Sequence, residues 1–285
     1  MENQEILMLR DVLEHLKRKE NELNKTKESL DRVKVNVEQI NTKEVEFCNL
    51  YSRIEKIQMR LKQFLGKIKA ECLTPIEEST ENIWSRYQMG AAKVENEIKN
   101  DSFCEAKLQE YTSSITKFLS SEIDNLHKAY EKQKEIFEKS KEDIGDKIEM
   151  LKRLLASLSR KTEEVKTIKD LITKIETEMH SLQVPSNLDE LLQIPDEKIN
   201  ELYVRTIETI DALREEVKRF IIANKLLAEE EITVLELLHQ ITPSQLDFVS
   251  VLTRLKETSR TSEERLQDIL FGLSKKGFIT LRIIL

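Results

Sequence analysis

Apolar residues recur every seven positions along much of the chain, with charged residues between them. Leu9, Leu16, Leu23, Leu30 and Val37 stand seven apart, and Val12, Val33 and Ile40 fill companion positions that Lys19 and Thr26 interrupt. Leu50, Ile57 and Phe64 follow, interleaved with Ile54, Leu61 and Ile68. A stripe this narrow cannot be buried by its own helix and must be covered by another. The spacing predicts one long coiled-coil helix over 1–74. It stops near Pro75, because proline disfavours helix in the residue before it.

A second long coiled-coil segment is predicted over 75–182. Its first half is irregular, with Ile83, Trp84, Tyr87, Val94 and Ile98, and with breaks expected at Gly90 and at Asn100-Asp101-Ser102. Lone Trp84 reads as packing at a helix junction. From Ile144 the register is regular: Leu151, Leu158, Val165, Ile172 and Met179 follow at sevens, with Ile148, Leu155, Ile168, Ile175 and Leu182 beside them. Residues 183–231 read as a connector bracketed by Pro185 and Pro195, holding a short helix over 187–193. A return helix follows, with Ile199, Thr206, Leu213, Phe220 and Leu227 on its seam and Tyr203, Ile210, Val217 and Asn224 beside them. Two such helices joined by a short connector predict an antiparallel hairpin.

Composition sharpens this picture. Charged residues make up 35% of the 285 positions, and the chain holds only 5 glycines and 4 prolines. Average usage would give roughly twenty and fourteen. Few turn formers mean few, long helices, which excludes a large α/β enzyme, a barrel or a β-sandwich. The fold class expected is all-α, with elongated antiparallel or dimeric coiled-coil helices. The net charge of -7 is uneven: residues 1–74 sum to +2, 75–231 to -10 and 232–285 to +1. Cys48, Cys72 and Cys104 form no zinc or disulfide pattern and read as buried small hydrophobes. With no apolar run near the ~20 residues of a membrane span and no basic-apolar leader, a cytoplasmic protein is expected.

The last segment, 232–285, changes character. Short helices are predicted over 232–238, 246–255 and 263–275, the last opened by Thr261 or Ser262 as N-cap and stopped by Gly277. The β-branched run from Phe278 to Leu285 reads as a strand. Three short helices followed by Leu-Ser-Lys-Lys-Gly-Phe-Ile and a strand resemble a winged-helix module of the MarR or ArsR kind. The likeness covers only these residues, and with one strand the hairpin wing is missing. It implies that the third helix would enter a DNA major groove.

Candidate sites follow from charge. Arg254, Lys256, Arg260, Arg265, Lys275 and Lys276 are placed to contact DNA phosphates or a partner, but Glu263, Glu264 and Asp268 share the third helix and would be repelled by DNA. Protein docking, as in the terminal modules of ESCRT-type and PCI-type subunits, is therefore favoured over DNA. A second stripe, Arg53, Lys56, Arg60, Lys62, Lys67 and Lys69, fits an anionic partner, or ordinary charge pairing along a helix flank, which is favoured. Asn224 on the seam either fixes register or marks the helix end. His15, His127, His180 and His239 are scattered, so neither metal nor catalytic residues are expected.

The function expected is a non-enzymatic coiled-coil scaffold or assembly subunit that docks a protein partner and self-associates, without cofactor or small-molecule substrate. The runner-up is a DNA-associated regulator or chromosome-organising factor. A weaker third reading is an ESCRT-like filament former on membranes.

Overall fold

A computed structural model describes residues 2–100, 105–161, 167–241, 248–259 and 261–281. The described residues are all-helical, with no strand among them. The expected long first helix is α1, Glu2–Ala70, followed by a 3-10 turn at Glu71–Leu73 and then α2, Thr74–Asn100. Proline at the second position of α2 is tolerated because the first turn has no N–H partner to lose. Gly90 does not interrupt α2. It lets the Phe118 ring approach so closely that a β-carbon there would sit 3.0 Å from it.

Next comes α3, Glu105–Ser159, and then α4, Thr167–His180. The seam expected to run unbroken from Ile144 to Leu182 is therefore split by a turn at Arg160-Lys161. The connector carries α5, Leu188–Gln193, whose N-cap Asn187 accepts from the Glu190 N–H at 2.9 Å. A single turn, α6, Asp196–Ile199, precedes the return helix α7, Leu202–Ala223. The final helices are α8, Glu229–Gln240, α9, Phe248–Ser259, and α10, Glu263–Lys275. The strand expected from Phe278 is not formed through Leu281, because Phe278 turns inward to cap α10; residues 282–285 lie outside the described residues.

Chain order does not divide the fold. One compact unit holds Met1–Met59 and Glu71–Lys134, and the other holds Arg60–Ala70 and Glu135–Leu285. In the first, Phe47, Ile54, Ile83, Ile123 and Leu126 form the core, with Tyr51, Trp84 and Tyr87 against it. Trp84 stacks on Tyr51 with ring centroids 4.5 Å apart, as expected of a junction residue. Two buried polar pairs lie in this unit, Gln58 donating to Thr80 at 2.9 Å and Arg86 to buried Glu122 at 3.0 Å, while the amide of fully buried Gln133 has no hydrogen-bond partner among the described residues. Cys48 and Cys72 are exposed, not buried as the sequence suggested, because both fall on the outer face of their helical turns; Cys104 lies outside the described residues.

In the second unit, Phe64 meets Phe137 and Tyr203 at 5.9 and 6.0 Å between ring centroids. Of the segment expected to form an antiparallel hairpin with the return helix, α4 pairs with α7 in that sense, whereas α3 runs alongside α7 in the same direction, Asp143 meeting Tyr203 and Lys147 meeting Asp211. Lys147 at the end of α3 reaches Asp211 at 2.9 Å, and Lys174 on α4 reaches Glu216 at 2.6 Å, both on α7. Two departures from helix answer each other. Gly66 in α1 adopts φ 69°, ψ 177°, open only to glycine. Opposite it, Glu201 takes a left-handed turn and donates its N–H to the Gln63 carbonyl at 2.7 Å.

Candidate functional site

The C-terminal helices supply the clearest candidate surface. Each of α8, α9 and α10 touches the other two, around Leu235, Leu252, Leu255, Leu266, Leu270 and Leu273. Ser262 caps α10, accepting from the Arg265 N–H at 3.4 Å. At its far end Gly277 has φ 76°, and its N–H bonds the Ser274 carbonyl while that of Phe278 bonds the Leu273 carbonyl, both at 2.9 Å. This is the left-handed stop that glycine makes possible.

The three helices are seated on the rest of the second unit by polar contacts. Glu236, buried on α8, accepts from Arg214 at 2.6 Å and meets Lys218 at 3.2 Å, both on α7. Arg153 on α3 donates to the His239 carbonyl at 2.6 Å, and Arg160 to that of Phe278 at 3.2 Å. Burial, reinforced by the Arg153 guanidinium, pushes the His239 imidazole down to about 4. Its Nε2 lies 3.4 Å from Ser157 Oγ, and its Nδ1 is buried without a partner.

Three of the six cations expected to meet a partner or DNA are engaged within this module. Arg265 forks onto Glu230 at 2.7 and 3.3 Å. Lys276 bonds both oxygens of Glu231 at 2.6 and 2.8 Å. Lys256 lies 3.5 Å from Glu263. Arg254 and Lys275 are exposed, and Arg260 lies outside the described residues. The acids at the start of α8 thus hold the basic ends of α10.

The apolar feature of this surface was not foreseen. Phe271 on α10 and Val249 on α9 are 58% and 70% exposed. Phe271 pairs with half-buried Phe248 at 5.9 Å between centroids. The signal in the sequence was an aromatic residue in line with Glu264, Asp268 and Lys275 on the polar face of α10.

The 53–69 stripe is divided between the two units. Arg53 lies over the Tyr130 ring at 5.6 Å and, like Lys56, belongs to the first unit. In the second, Arg60 bonds Asp196 and Lys69 reaches Asp143 at 3.1 Å and the Tyr203 hydroxyl. Bonds from Tyr203 and Lys69 outweigh burial and hold the Asp143 carboxyl below its ordinary range. Lys62 and Lys67 are exposed. Asn224 proves to be the exposed C-cap of α7, its amide donating back to the Phe220 carbonyl at 2.9 Å. It stands at the helix end and not within a buried seam.

A second surface is the apolar stripe of α1. Val12, Leu16, Leu23, Leu30 and Val37 are all exposed, while the described side chain of Asn36 reaches Thr112 on α3 at 3.3 Å. Among the described residues no helix is long and apolar enough to cross a membrane, and no group of three metal-binding side chains is gathered. No protein-family model, curated protein or solved structure matches the chain.

Proposed function

We propose that the chain is a non-enzymatic, coiled-coil scaffold or assembly subunit that docks a protein partner through α8–α10, the helical part of a winged-helix-like module without a wing. The observation that carries this reading is the contrast on that module. Arg265 and Lys276 are tied to Glu230 and Glu231, while Phe271 and Val249 are left open to solvent. Exposed aromatics beside apolar neighbours anchor protein interfaces. Glu264 and Asp268 border Phe271 on α10, so the partner surface is expected to be apolar with a basic rim. The same acids would repel a phosphate backbone. A body built of long helices would set the spacing between docking modules, and joining modules raises avidity without new contacts.

The test is a photo-reactive phenylalanine in place of Phe271 in the full chain. A discrete protein adduct, lost on Val249→Glu, is expected. Duplex DNA titrated in parallel should not bind. Binding whose logarithm falls linearly with log salt would replace this reading with the DNA-associated one.

A further inference from the structure

Residues 12–28 of α1 are exposed at every position, leucines and valine included. From Ser29 onward one side of the helix turns inward, with Ser29 buried and Asn36 bonded to Thr112. Leu30 and Val37 stay 57% and 43% exposed. Leu16 and Leu23, at 61% and 72%, continue that stripe. Four large apolar side chains seven apart, with Val12 one turn before them, on one open face are unstable in water unless a second helix covers them. Within the described residues none does.

We infer that residues 12–37 of α1 pair with the same residues of a second copy, running antiparallel about a twofold axis between Asn24 and Lys25. This inference stands apart from the docking role of α8–α10. In this alignment Val12 faces the second copy's Val37, Leu16 faces Val33, Lys19 faces Leu30 and Leu23 faces Thr26. Val33 is half-buried and keeps surface for the contact. The flanking charges then match: Glu20 of each copy meets Lys27 of the other, twice by symmetry. Charges flanking a seam are what set partner and orientation in such pairs.

The parallel alternative is disfavoured by one residue. It would stack Lys19 on its own copy at a core layer. The antiparallel alignment lays the Lys19 stem along Leu30 and leaves its ammonium at the edge, where it already meets Glu22 at 3.1 Å. A foreign helix would need the same pattern of leucines with a lysine–glutamate pair reversed, which this segment itself supplies.

The experiment is sedimentation equilibrium on the full chain. Wild type is expected to dimerise. Leu16→Glu with Leu23→Glu is expected to be monomeric with unchanged helical circular dichroism, since neither side chain is covered in the single chain. Glu20→Lys should weaken the dimer about tenfold, and adding Lys27→Glu should restore it to within about twofold. The charge reversal isolates orientation, because in a parallel pair Lys27→Glu would set two glutamates, at 22 and 27, against each other. A wild-type chain that stays monomeric at all concentrations, a dimer that survives the double glutamate change, or a failed charge-reversal rescue would each overturn the inference.

Discussion

Arg214 on α7 donates from Nε to Glu236 on α8 across 2.6 Å. Glu236 is only 7% exposed, so its carboxylate has little water to fall back on. Lys218 is the second cation, at 3.2 Å. Arg214→Met should cost about 2 kcal/mol, because a buried charge loses its better partner. The urea midpoint should fall while its slope holds.

His239 predicts a pH dependence. Its folded pKa of about 4 lies below the ordinary 6.5, so the unfolded chain binds the proton more readily. The contribution is present above pH 6.5 and is lost as pH falls through the window to about 4. Its upper limit is about 3 kcal/mol, reduced by the ring's partial exposure. The groups facing it are Arg153, Arg160 and Glu236. His239→Gln should flatten the melting temperature against pH in that window relative to wild type. An unchanged slope would show that the imidazole is not the group responsible.

Two glycines should respond oppositely to alanine. At Gly66, φ is +69° and a β-carbon would stand 3.1 Å from Glu201 Cγ and 3.3 Å from Val204 Cγ2. Gly66→Ala should destabilise by about 1–3 kcal/mol. Gly145 lies inside α3 with nothing within 4 Å of an added β-carbon. Gly145→Ala should stabilise by about 0.5–1 kcal/mol. Thermal melts of the pair give the comparison directly.

Phe64 is 1% exposed between Phe137 and Tyr203. Phe64→Ala should cost about 3–5 kcal/mol, through lost burial and the cavity left behind. Val45 is 60% exposed, and Val45→Ala should change stability by less than about 0.5 kcal/mol. Chemical denaturation of both variants separates core from surface.

What could be read from the sequence was local. Helix α10 begins and ends where Ser262 and Gly277 place it, and α5 begins at Asn187, because caps act within one turn. What could not be read was set by distant residues. The break before α7 carries no glycine or proline at Glu201; its N–H is claimed by the Gln63 carbonyl, far away in the chain. The turn at Arg160-Lys161 interrupts a seam that looks continuous, and Arg160 and Lys161 there reach Phe278. At the candidate site, charge alone picks out the basic residues but not their acidic partners at the start of α8, since pairing across helices leaves no mark in spacing. Phe271 did leave a mark, standing in line with Glu264, Asp268 and Lys275 on the face of α10 away from Leu266, Ile269 and Leu273.

The interleaving of the two units bears on how the chain comes off the ribosome. Leu61, Phe64 and Leu65 are synthesised early, yet they belong to the unit whose remaining residues begin at Glu135. Until Phe137 and then Tyr203 emerge, Phe64 lacks the two rings it packs against. Nascent chains halted before residue 135 should therefore recruit chaperones at this stretch and release them once α7 is made.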